Sequence, residues 1–170
     1  YAKDERVFED NPVAGAELSD LNEQLLDEYK MHLNCRELSH QQVLEARGFI
    51  QQGQLTAAAV LLFGKNPGFY FPQARLRFLR YEGSRPETGA RMNIVKDQTF
   101  DGPIPTIIRQ AQAAISAQLR EFQFLGEDGR FKIIPEYPEF AWFEGIVNAV
   151  VHRDYSVRGD HIRVSMFDDR

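Results

Sequence analysis

Residues 140–159, FAWFEGIVNAVVHRDYSVRG, constrain the fold more than any other stretch of the chain. An apolar segment of helical period gives way to a dense polar run, His152-Arg153-Asp154-Tyr155. After the turn Arg158-Gly159-Asp160 the pattern alternates from His161 to Phe167. There Ile162, Val164 and Met166 share one face, and Arg163 and Ser165 take the other. A change of period from helical to alternating across one turn predicts a helix feeding a strand, and hence an α+β domain.

The rest of the chain reads in the same terms. Leu18, Leu21, Leu25 and Tyr29 follow the helical period from Glu17 onward. Ser39 and Gln42 form the capping-box pattern S-x-x-Q, which opens a short helix over 40–47 that stops at Gly48. Thr56 caps a helix Ala57–Phe63, closed by Gly64. Arg75–Tyr81 reads as a strand with Leu76, Phe78 and Arg80 on one face. A loop over 82–90 leads to a second strand over 91–97. Pro103 and Pro105 start a long helix reaching about Glu121, with Ile104, Ile107, Ile108, Ala111, Ile115, Leu119 and Phe122 on its buried face. A hairpin over 123–134 turns at Gly126-Glu127-Asp128-Gly129.

Within the helix before His152, Phe140, Phe143, Val147, Val150 and Val151 form one apolar stripe at about 100° per residue. Glu144 and Asn148 fall beside it, one turn apart. A carboxylate there can orient a water, and an amide oxygen can ligate a hard cation such as Mg²⁺. The same spacing also marks an ordinary border between core and solvent.

The wider string, EGIVNAVVHRDYSVRG, resembles the Asn-box helix of the RecG-like or "divergent AAA" transcriptional regulators of bacteria and archaea. The ATP-binding region of that family is of the Bergerat type, shared with gyrase, histidine kinases and MutL. Three further segments are similar in the same order: QLTAAAVLLFG with FPQARLRFLR, the turn Phe100-Asp101-Gly102-Pro103, and IRVSMFDDR. Together they cover roughly 54–170. The resemblance implies that Asn148 holds Mg²⁺ against nucleotide phosphates and that Glu144, one turn earlier, positions the attacking water. His152 and Asp154 match the family's H-R-D-Y run as further residues of the cofactor site. The adenine-reading Asp and Gly-rich loops of that class lie beyond Arg170, and Asp168 and Asp169 are not their counterparts. The expected architecture is a linker over 1–15, a helical connector over 16–66, and over 67–170 a mixed sheet with helices on one face, the first part of a Bergerat-type domain. ATP and Mg²⁺ are expected as cofactors of the full-length protein, DNA as a partner reached through other domains, and homodimerisation as a further property. The rival expectation is a non-catalytic dimerisation module between DNA-binding domains.

Composition narrows the classes. A formal net charge of −5 argues against a nucleic-acid surface in this piece. A single cysteine, Cys35, precludes an internal disulfide and fits a reducing compartment. No signal peptide opens the chain and no apolar run reaches membrane-spanning length, so a cytoplasmic location without a membrane partner is expected. Tyr1 at the start and Arg170 at a strand end read as the limits of a fragment.

Four motif readings are set aside. Gly64-Lys65 lacks the earlier Gly and following Ser or Thr of a P-loop, so no helicase motor is expected. His152-Arg153-Asp154 lacks the Asn that a kinase catalytic loop places five residues after its Asp, a position held here by Gly159. His32, Cys35 and His40 match no closed zinc spacing. Arg75, Arg77 and Arg80 read as the charged positions of a strand.

Overall fold

The computed structural model describes residues 7–169. The chain has a mixed α+β fold, and its contacts divide it into two units. The first comprises 1–75, 101–107 and 154–161; the second comprises 76–100, 108–153 and 162–170.

In the first unit, helix α1 spans Glu23–His32, α2 spans His40–Ala46 and α3 spans Ala57–Phe63. Each has a side-chain cap. Asn22 accepts from Leu25 N, Ser39 and Gln42 form the reciprocal capping box, and Thr56 accepts from Ala59 N at 3.3 Å. Five of the seven α3 residues are buried, so this short helix is apolar nearly all round and forms the centre of the unit. Leu21, Leu25, Leu44, Leu55 and Phe71 pack in the same cluster. Tyr29, Phe49 and Phe63 meet at ring-centroid distances of 5.2–6.0 Å.

Residues 1–6 of the expected linker lie outside the described residues. From Val7 onward the segment joins the core. Asn11 O accepts from Ala57 N, Val13 N donates to Leu55 O, and Phe8 and Val13 pack on the cluster. A hairpin not expected from the sequence joins β1 (Ile50–Gln51) to β2 (Gln54–Leu55). Its two-residue loop puts Gln52 and Gly53 both at positive φ, the geometry of a type I′ turn. Gly64 is required for a different reason: a Cβ there would meet Val60 O at 2.5 Å.

In the second unit, β4 (Ile94–Asp101), β3 (Arg75–Tyr81) and β7 (Ile162–Met166) form a three-stranded sheet in the order β4-β3-β7. β3 runs parallel to β7, with Phe78 opposite Val164. As the middle strand, β3 buries both faces: Leu76 and Phe78 on one side, Leu79 and Tyr81 on the other. Helix α4 (Ile104–Ser116) crosses the division between the units and buries Ile107, Ala111 and Ile115 at helical spacing. It ends sooner than its apolar period suggests. Gln118 and Leu119 tighten into three-residue turns, and the chain then enters β5 (Glu121–Leu125), which pairs with β6 (Phe131–Pro135). Phe122, expected on the buried helical face, is a strand residue 55% exposed. Helix α5 spans Glu139–Val151 and packs against β7.

The cap at α3 gives a direct test. Thr56 is 1% exposed, and its hydroxyl accepts from an otherwise unpaired helix N–H. Thr56→Ala is expected to lower the unfolding free energy by about 1–2 kcal/mol in denaturant titration, with Thr56→Ser costing less.

Candidate functional site

Helix α5 begins after Pro138, whose extended backbone (φ −58°, ψ 127°) turns the chain into the first turn. Glu139 there accepts from Gln112 Nε2 at 2.7 Å. The inward face is centred on Ile146 and Val150, at 4% and 1% exposure, with Trp142, Phe143 and Val147 half-buried. This corrects the expected stripe, because Phe140 is 78% exposed and Val151 59%. The inward direction is set by Ile146, which the pattern from Phe140 to Val151 does not include.

Glu144 and Asn148 therefore face away from the core. At about 100° per residue, Glu144 and Asn148 each lie roughly 160° from Ile146, opposite the buried centre, and about 40° from one another. Both are solvent-exposed and share the outward side of α5 with Phe140 and Val151. Gly145 lies next to them, and a Cβ on it would meet nothing within 4 Å. A mid-helix glycine weakens a helix, and packing among the described residues does not account for this one.

His152 closes α5 through its backbone, its N–H donating to Asn148 O at 3.0 Å, and its side chain is exposed. Asp154 folds the following turn. Its Oδ1 accepts from Ser156 N at 2.9 Å and from the Ser156 hydroxyl at 2.5 Å. Tyr155 is buried in the first unit's cluster, and its carbonyl accepts from the buried Gln73 side chain at 2.6 Å. By its contacts, then, the H-R-D-Y run is shared between the units: His152 in the second, Asp154 in the first.

Some of the chemistry was not legible in the sequence. Arg80 Nη2 donates to Asp168 Oδ1 at 2.6 Å, and Gly83 N donates to Asp168 Oδ2 at 2.5 Å. Arg120 lies 3.5 Å from the same carboxylate. The Gly83 backbone hydrogen bond first, then the two guanidiniums, hold the Asp168 carboxyl below its ordinary range. Tyr81 and Phe167 stack beside this clasp at 4.9 Å. The signal was available in the sequence only as an Asp after an alternating strand. In the same unit a cavity of about 180 Å³ is lined by Phe78, Ile115, Trp142, Ile146, Val164 and Met166, among others. The indole N–H of Trp142 is buried without a hydrogen-bond partner.

The set-aside residues have ordinary roles. Lys65 Nζ donates to Ser19 O at 2.8 Å, His40 Nε2 lies 2.7 Å from Asp27 Oδ1, and Arg77 makes a two-point pair with Asp97. Among the described residues no group of three or more His, Cys, Asp and Glu is placed to hold a metal ion. Among the same residues no helix is long and apolar enough to cross a membrane.

No known protein family's profile matches the chain, and no curated protein matches it. Among solved structures it is similar to the DIP2311 protein from Corynebacterium diphtheriae, with a TM-score of 0.66 and 17% identity. The match covers 92% of this chain and 30% of that one, so the chain spans about a third of the length of that protein. At this identity the likeness is one of fold.

Two measurements test this description. Because the folded-state pKa of Asp168 is lowered, its contribution is present above the ordinary carboxylate value of 3.8 and is lost as pH falls through the folded value. Asp168→Asn should therefore lower the thermal midpoint near neutral pH, and the gap from wild type should close as the solution is acidified below 3.8. Gly145→Ala should raise helix stability by about 0.5–1 kcal/mol, since the added methyl meets open space.

Proposed function

We propose that the chain is part of a cytoplasmic ATP-binding transcriptional regulator of the RecG-like kind, in which the outward side of α5 forms half of a Mg²⁺–nucleotide site of the Bergerat type. The observation that carries this reading is the pairing of Glu144 with Asn148, exposed and one turn apart beside the open space at Gly145. The residues fit such a ligand to a limited extent. Asn148 offers one neutral oxygen to a hard cation, and Mg²⁺ ordinarily takes most of its remaining ligands from water and phosphate. Phe140 and Val151 flank the pair with exposed apolar surface, a suitable border for a segment or ligand that closes the site. When bound, Mg²⁺ would supply charge neutralisation at the phosphates. Glu144 would hold and deprotonate a water. His152 would close the helix that carries Asn148, its N–H donating to Asn148 O. DNA contact would fall to other domains.

A second reading, an interaction module without nucleotide chemistry, is favoured by the β5–β6 hairpin, every strand residue of which is exposed.

Titration of the full-length protein with ATP, with and without Mg²⁺, separates the readings. Asn148→Ala should weaken Mg²⁺-dependent binding because it removes a metal ligand. Glu144→Gln keeps the shape and removes the basicity, so binding should persist while any turnover falls by about 10²–10⁴. Wild-type binding by both variants, with no hydrolysis in any of them, would overturn the nucleotide reading and leave the interaction module.

A further inference from the structure

The hairpin β5–β6 is a two-stranded sheet that carries Phe122, Phe124, Leu125, Phe131, Ile133 and Ile134, each between 43% and 76% exposed. A lone two-stranded hairpin is marginally stable in water, and a large apolar surface on one marks a contact. Three of them, Phe122, Phe124 and Leu125, lie on β5 itself.

The two edges differ. β6 contains Lys132 and Pro135, residues that protect an edge from pairing; β5 reads Glu121-Phe122-Gln123-Phe124-Leu125, with neither Lys nor Pro. The hairpin bonds Glu136 N→Arg120 O and Gly126 N→Arg130 O turn the even-numbered residues of β5 toward β6. The backbone N–H and C=O groups of Glu121, Gln123 and Leu125 therefore point to the outer edge.

We propose that β5 pairs antiparallel with β5 of a second copy of this chain across a two-fold axis at Gln123. The sequence is self-complementary in that register. Gln123 meets its own counterpart, Glu121 faces Leu125, and Phe122 faces Phe124 twice over. No like charges are opposed. The Phe122–Phe124 pairs fall at the non-hydrogen-bonded positions, where side chains come closest, and place four phenyl rings on one face of a four-stranded sheet. The contact is isologous and closes as a dimer. It deepens the interaction-module reading by naming the partner and the surface, and it requires no nucleotide.

The 170-residue chain should sediment at twice its 19.6 kDa mass at roughly 100 μM, a concentration at which an interface of modest size is populated. In a Cys35→Ser background, Gln123→Cys should be joined between copies by a short bis-maleimide, and Ile133→Cys should not. Gln123→Pro removes an N–H that points away from β6, so it should leave the hairpin intact, as judged by circular dichroism, and yield monomer. Phe124→Lys should weaken the dimer about tenfold or more. A wild-type monomer at this concentration would overturn the proposal while leaving a contact with some other protein open. So would a dimer that survives Gln123→Pro and fails to cross-link at position 123, which would place the interface elsewhere.

Discussion

The parallel pairing of β3 with β7 is the constraint on which the candidate site depends. Parallel strands cannot be joined by a tight turn; the chain between them must cross over and return. Here the returning segment ends in α5, which packs against β7 and enters it through the turn at Arg158-Gly159-Asp160. Leu76 opposite Ile162 and Phe78 opposite Val164 fix the register, and a slip of one residue would put the apolar residues of β7 on the wrong face. Once Ile146 and Val150 are buried, the outward direction of Glu144 and Asn148 follows from helix geometry.

The two units hold their residues by different means. The first is organised around a small apolar helix, with caps and backbone bonds satisfying its ends. Asn22 N donates to Phe63 O and Ala57 N to Asn11 O, so neighbouring segments complete the groups that α3 cannot pair internally. The second adds charged contacts at the ends of its central strands. Asp168 gathers a backbone N–H and two guanidiniums, and Asn93 ties the long loop to β3 by bonding Arg85 O and Glu82 O while accepting from Glu87 N. The apolar core is largely indifferent to pH, whereas the Asp168 clasp is not.

Two exposed surfaces of the second unit differ in composition. The outward side of α5 mixes a carboxylate and an amide with isolated apolar groups. The hairpin carries exposed apolar residues on both faces, with Gln123 and Lys132 as polar positions inside its strands.

The sequence alone determined the local structure. Capping residues at Ser39 and Thr56, the alternation of 162–167 and the Gly-bounded hairpin turn all act within a few residues, where backbone chemistry has few solutions. It also placed Glu144 and Asn148 one turn apart, because helix spacing is fixed. Tertiary structure decided which side of α5 is buried. An apolar helix with residues on most sides has no unique inward face until a sheet is laid against it, and here the sheet selected Ile146 over Phe140. Contacts also decided that Arg80 and Asp168 meet, that Gln52 and Gly53 turn a hairpin, and that α4 stops at Ser116 although its apolar period runs on. Arg80 and Asp168 lie 88 residues apart, and no local pattern carries that pairing. The division into units likewise gathers discontinuous segments, which a reading along the chain, split near residue 66, cannot express.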